Sequence, residues 1–193
     1  MGDAAEDRAK AATYPEGDVL RVLYEQHARI RDLFAAVKAA GGDRRSETFA
    51  ELRTLLAVHE TAEEMVIRPA TTAAGGKDVA DARNHEEAEA NEVLQRLEKL
   101  DPAGSDFESL LAELEASVDE HAEAEEHEEF PLIESSCDEG QRQAMGMHLR
   151  AAEAVAPTHP HPSTAGSTVA QYAVGPFASI IDRTRDAVRA AMH

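Results

Sequence analysis

Three times along this 193-residue chain a histidine is followed four residues later by a glutamate: His59–Glu63, His85–Glu89 and His121–Glu125. Imidazole nitrogens and carboxylate oxygens are the side-chain donors that suit first-row transition metals. Residues four apart stand one above the other on a helix face, so each pair aims two ligands in one direction. A fourth histidine, His27, lies in another segment of helical periodicity. Four helices directing these groups at a common axis would build a two-metal site.

The elements that must position these residues follow from periodicity and punctuation. Residues 1–16 read as a flexible polar arm, closed by Pro15 and Gly17. A first helix is expected over 18–40, with Asp18 as N-cap and Leu20, Leu23, His27, Ile30, Phe34 and Val37 along one stripe. That three-four spacing is the seam of a packed bundle helix. A second helix is expected over 45–68, with the stripe Phe49, Leu52, Leu56, His59, Glu63 and Val66, ended by Pro69. A third, over 78–100, has a weaker stripe of Val79, Ala82, His85, Glu89, Val93, Leu97 and Leu100. A fourth, over 106–135, carries Phe107, Leu111, Leu114, Val118, His121, Glu125 and Leu132, with Pro131 kinking its end. Long helices with short connections pack as antiparallel neighbours. The expected fold class is therefore all-α: an up-down-up-down four-helix bundle over 17–137 with additional C-terminal helices. These form an extension over 138–193, with one helix at 139–156, a Pro-rich loop at 157–167 and a last amphipathic helix at 169–191.

The composition agrees. Aromatics are only 4% of the chain while hydrophobic residues reach 42%, a helical globular balance. With 19 Lys+Arg against 38 Asp+Glu, a formal charge of −19 repels nucleic acid and anionic lipid, which excludes both as partners. Cys137 is the lone cysteine, so no disulfide framework or cysteine metal cluster forms within one chain. No apolar run approaches a membrane span, and Met1 to Lys10 lacks the apolar core of a signal peptide. The expected location is cytoplasmic.

His27, His59, Glu63, His85, Glu89, His121 and Glu125 all fall on stripes where leucine would otherwise sit. One buried histidine is ordinarily a satisfied core residue, but seven polar groups in one core need compensation, because each unpaired carboxylate costs several kcal/mol. No Lys or Arg falls on these stripes, and protonated histidines paired with the glutamates would be a marginal arrangement at neutral pH. A metal pair satisfies all of them together. Glu60 and Glu126 lie beside two of these residues and, with Glu89, are candidates for an additional carboxylate ligand. Tyr24, one turn before His27, either fills the bundle or serves as an auxiliary proton or electron donor. His127, His148 and His193 lie off the stripes and read as solvated. His159 and His161, within His-Pro-His-Pro, read as part of a stiff linker.

Over residues 18–135 the chain resembles the hemerythrin-like, or HHE cation-binding, family. The resemblance rests on His27, His59-x3-Glu63, His85 and His121-x3-Glu125. It implies a four-helix bundle around two non-heme Fe ions, an oxo- or hydroxo-bridged di-iron centre. His27, His59, His85 and His121 would be terminal nitrogen ligands, and Glu63 and Glu125 bridging carboxylates. Two departures from the oxygen carriers of the family stand out: Glu89 replaces a histidine, and the fourth-helix carboxylate is Glu125 rather than Glu126. A carboxylate-rich ligand set tilts the expectation from O2 carriage to reaction with small oxidants, either catalase-like H2O2 dismutation or NO and O2 chemistry. The alternative is an O2- or iron-binding or sensing module without turnover.

Overall fold

The computed structural model describes residues 2–154 and 156. The expected loop at 157–167, the helix at 169–191, and His159, His161 and His193 lie outside the described residues. Helices run in the order α1 (Ala4–Ala11), α2 (Val19–Ala39), α3 (Gly42–Ala73), α4 (Lys77–Leu97) and α5 (Ser105–Ala124). A π turn (Glu125–Glu129) then leads into α6 (Phe130–Ser136) and α7 (Glu139–Glu153). α2, α3, α4 and α5 each pack on the next, and α5 returns to α2, which closes an antiparallel four-helix ring.

The apolar residues form two clusters. One unites Leu20, Leu23, Val66, Ile67, Phe130 and Ile133 at one end. The other unites Phe34, Leu52, Leu56, Leu94, Phe107 and Leu114 at the opposite end. The stripes continue through both, and the interruption between them is where the histidines and glutamates stand.

Four expectations are corrected. The supposed arm of residues 1–16 contains α1, capped by the Asp3 carboxylate, which accepts from the Ala5 N–H at 2.7 Å. It docks through ion pairs and a few apolar residues at its end: Asp7 pairs with Arg31 of α2, the Gly2 N–H donates to Asp119 of α5 at 2.9 Å, and Ala11 and Tyr14 enter the core. α3 does not stop at Arg68 but runs through Pro69 to Ala73, because α7 packs on its far side and buries that last turn. α7 itself ends at Glu153, short of the expected 156. The fourth helix is interrupted. Phe130 donates to Glu125 O, five residues back, in a π turn just ahead of Pro131, which has no N–H to give. The extra residue shifts the register, so Ile133 is buried where Leu132 was expected.

α7 lies close against the start of α2. A Cβ built on Gly146 would come within 2.1 Å of Gly17 O, so only glycine fits this crossing. Gly146→Ala is expected to cost about 1–3 kcal/mol through overpacking. Chemical denaturation checks this, and an unchanged midpoint would contradict the close approach.

Candidate metal centre

Between the two apolar clusters, α2 contributes His27, α3 contributes His59 and Glu63, α5 contributes His121, and the π turn contributes Glu125. All are inward-facing: His27, His59, Glu63 and Glu125 are buried, and the His121 side chain is only 11% exposed. α4 contributes Glu87, which was not expected. Two groups of ligand atoms result. His27, His59, Glu63 and Glu125 converge within 4.8 Å of one another, and so do Glu63, Glu87, His121 and Glu125. Glu63 and Glu125 belong to both groups.

The distances are those of groups that face one another without bonding well. His27 Nε2 lies 3.2 Å from Glu125 Oε2, His59 Nε2 3.4 Å from Glu63 Oε2, and His121 Nε2 3.3 Å from Glu125 Oε1. His27 Nε2, His121 Nε2, both Glu63 oxygens, Glu87 Oε2 and Glu125 Oε2 are buried with no hydrogen-bond partner. Burying polar atoms unpaired is costly, so this convergence calls for a cation.

The outer nitrogens, by contrast, are all engaged. Nδ1 of His27 meets Glu126 Oε1, Nδ1 of His59 meets Gln26 Oε1, and Nδ1 of His121 meets Glu86 Oε2, each at 2.8 Å. An Nδ1–H donated outward leaves the Nε2 lone pair facing the centre, the arrangement of a metal-ligating histidine with its supporting partner. His59 then turns a neutral nitrogen toward a carboxylate oxygen, two acceptors that only a proton or a cation reconciles.

The electrostatics of the metal-free chain fit. Burial, with the neighbouring His27 charge, pushes His59 down to about 3. Burial and the adjacent Glu125 raise the Glu63 carboxyl well above its usual range. Burial also opposes charge on Glu125, but His121 and Arg68 outweigh it and hold that carboxyl low. Metal ligation requires these groups deprotonated, so binding would release protons.

Arg68 corrects the expectation that no cation shares the core. It bonds Glu87, Glu125 and Glu129, and lies 3.7 Å from Glu63. In the metal-free chain this guanidinium shares the carboxylates with His27 and His121. Burial opposes protonation of both imidazoles, but Glu125 and its neighbours outweigh it and raise them; a metal would take the place of those protons. The long Arg68 side chain reaches the centre from a position off the apolar stripe.

His85 and Glu89 are the other correction. Their side chains are 75% and 68% exposed, so neither faces the centre. The inward face of α4 is Ala80, Arg83, Glu87, Ala90, Leu94 and Leu97, a clean three-four repeat disguised by two charged members. Reading backward from Leu97 and Leu94 would have found Glu87. Glu60 is buried but belongs to neither ligand group; burial, with Glu87 nearby, lifts its carboxyl to about 8. Glu126 supports His27 rather than facing the centre. Tyr24 packs its ring edge-on against Phe130 at 5.2 Å and His27 at 6.4 Å, a filling role. His127 is exposed on the π turn, and His148 is half-buried on α7.

The sequence profile of the hemerythrin HHE cation-binding domain matches residues 18–133, more than half of the chain and all the residues of this centre. The chain belongs to the hemerythrin HHE cation-binding family. It is also 26% identical over 168 residues to an uncharacterized hemerythrin-like protein of Schizosaccharomyces pombe, covering 85% of this chain and 83% of that one. No solved structure gives a significant match. Among the described residues of this hemerythrin-like chain, no helix is long and apolar enough to cross a membrane.

The two candidate ligand groups make a sharp prediction. His85→Ala should leave metal content unchanged, whereas Glu87→Ala should lower it by about half. Elemental analysis of the two purified variants checks this, and loss of metal on His85→Ala alone would contradict the orientation of α4.

Proposed function

We propose that this hemerythrin-like chain holds two iron ions and turns over a small oxidant, most simply 2 H2O2 → 2 H2O + O2. The observation that carries the reading is the pair of ligand groups sharing Glu63 and Glu125. His27 and His59 would hold one iron, His121 and Glu87 the other, with Glu63 and Glu125 common to both. Mixed imidazole–carboxylate sets with fewer protein donors than the ion can accept suit redox-active non-heme iron. Such a pair would supply the two electrons that peroxide reduction takes up and peroxide oxidation returns.

The chain's own residues support this. Glu126, Gln26 and Glu86 fix the imidazole orientations and raise ligand basicity. The apolar clusters above and below exclude bulk water from the layer between them. A cavity of about 430 Å³ between α1, α2 and α5 reaches His27, and its walls include Ile30, Phe34, Val118 and Ala122. Arg31, Asp32, Lys38, Glu115 and Asp119 line it as well, and a mixed lining of this kind admits small neutral molecules such as H2O2, O2 and NO. NO and O2 are the next substrates to test, since nothing in the centre distinguishes among these oxidants.

The test is oxygen evolution from H2O2 by iron-loaded protein, with Glu63→Gln as control. Turnover that is lost in the variant supports the reading. An iron-loaded protein that binds O2 reversibly but leaves peroxide unchanged would establish the carrier or sensor alternative instead.

A further inference from the structure

Arg68 is buried on α3, five residues beyond Glu63. Its Nη2 bonds Glu87 Oε1 and lies 2.6 Å from Glu125 Oε1. These are the same two oxygens that face His121 Nε2, at 3.7 and 3.3 Å. One nitrogen of Arg68 therefore sits on an oxygen of each of the two carboxylates that face His121, and Glu87 Oε2 is left unpartnered. The His27–His59 position differs. Its Glu125 oxygen is Oε2, which faces His27, and Arg68 approaches its Glu63 oxygen no closer than 3.7 Å. The other terminal nitrogen of Arg68, Nη1, bonds Glu129 Oε2. Glu129 belongs to neither ligand group and is anchored by the Thr71 hydroxyl, which donates to Oε1 at 2.6 Å.

We propose that Arg68 makes the two metal positions unequal. Its Nη2 acts as an internal cation at the His121–Glu87 position. A divalent metal then loads first at His27–His59, and a second only as Nη2 withdraws toward Glu129. This rests on the two-metal reading above and adds an order of filling to it. A guanidinium keeps its charge at every working pH, so it cannot yield the position by losing a proton. In a buried site its repulsion of an incoming cation is weakly screened. Glu129, four residues after Glu125, is buried on the same side, and it gives Arg68 a partner in the fully loaded state. Arg68 is thus a positioning residue for the centre rather than a ligand.

Titration of the metal-free full chain with Co(II) tests this through the visible bands of the bound ion. Wild type should show two steps separated by at least about tenfold in Kd. His59→Ala should remove the tighter step, and His121→Ala the weaker. Replacing the ion pair together, Arg68→Met with Glu129→Gln, should tighten the weak step by about tenfold or more and merge the two. Arg68→Lys, which keeps the charge, should leave them apart. Two equal affinities in wild type, loss of the weaker step in His59→Ala with the tighter one kept, or an unchanged separation in the double replacement would overturn the proposal. The wild-type and histidine arms decide it even where the double variant does not fold. Failure of wild type to bind two Co(II) ions would instead overturn the two-metal reading itself.

Discussion

Glu125→Gln should lose both metals, although it alters a single side chain. Its two oxygens face different histidines, Oε2 toward His27 and Oε1 toward His121. Removing its charge therefore weakens both positions, and by more than the roughly 10–100-fold typical of outer-sphere partners. Glu63, common to the same two groups, should behave alike. Glu87, confined to one group, should cost one metal. The glutamine variant is preferred to alanine because it keeps the side-chain volume and a carbonyl acceptor for Arg68, His27 and His121, which all lean on Glu125. Elemental analysis, with circular dichroism to establish folding, checks the result. A folded Glu125→Gln protein that keeps one metal would contradict the bridging role.

Removing the metal should have the second large effect, on stability. The metal-free centre buries His27 Nε2, His121 Nε2 and both Glu63 oxygens without hydrogen-bond partners. An ion that binds only the folded chain stabilises it by about 4 kcal/mol at a thousandfold excess over its Kd. For a chain of this size that corresponds to about 10 °C or more in Tm. Melting curves before and after chelation measure it. An unchanged Tm would mean that the buried acidic layer is compensated from within the protein.

The centre was legible where leucines set the phase. On α2, α3 and α5 the stripes through Leu23, Leu56 and Leu114 identify the face, and His27, His59, Glu63, His121 and Glu125 fall on it. On α4 the inward face has two alanines and two leucines and carries Arg83 and Glu87, so charge concealed the repeat and the exposed pair His85–Glu89 looked equally regular. Arg68 escaped notice for a different reason. It lies off the stripe, and its long side chain reaches Glu87, Glu125 and Glu129, partners on other segments that periodicity along α3 does not report. The π turn was invisible as such, since Pro131 announces an irregularity but not whether the helix bends or inserts a residue. The α1 helix had strong helix formers but docks through Asp7 and Arg31, a pairing between distant segments that periodicity does not report.

The proposed function requires two metal positions that share two carboxylates. Anaerobic Fe(II) titration of the metal-free chain, read as iron retained per chain after desalting, tests that most directly. Two irons per chain is the expected result, one for each ligand group. Saturation at one iron, or none retained, would contradict it.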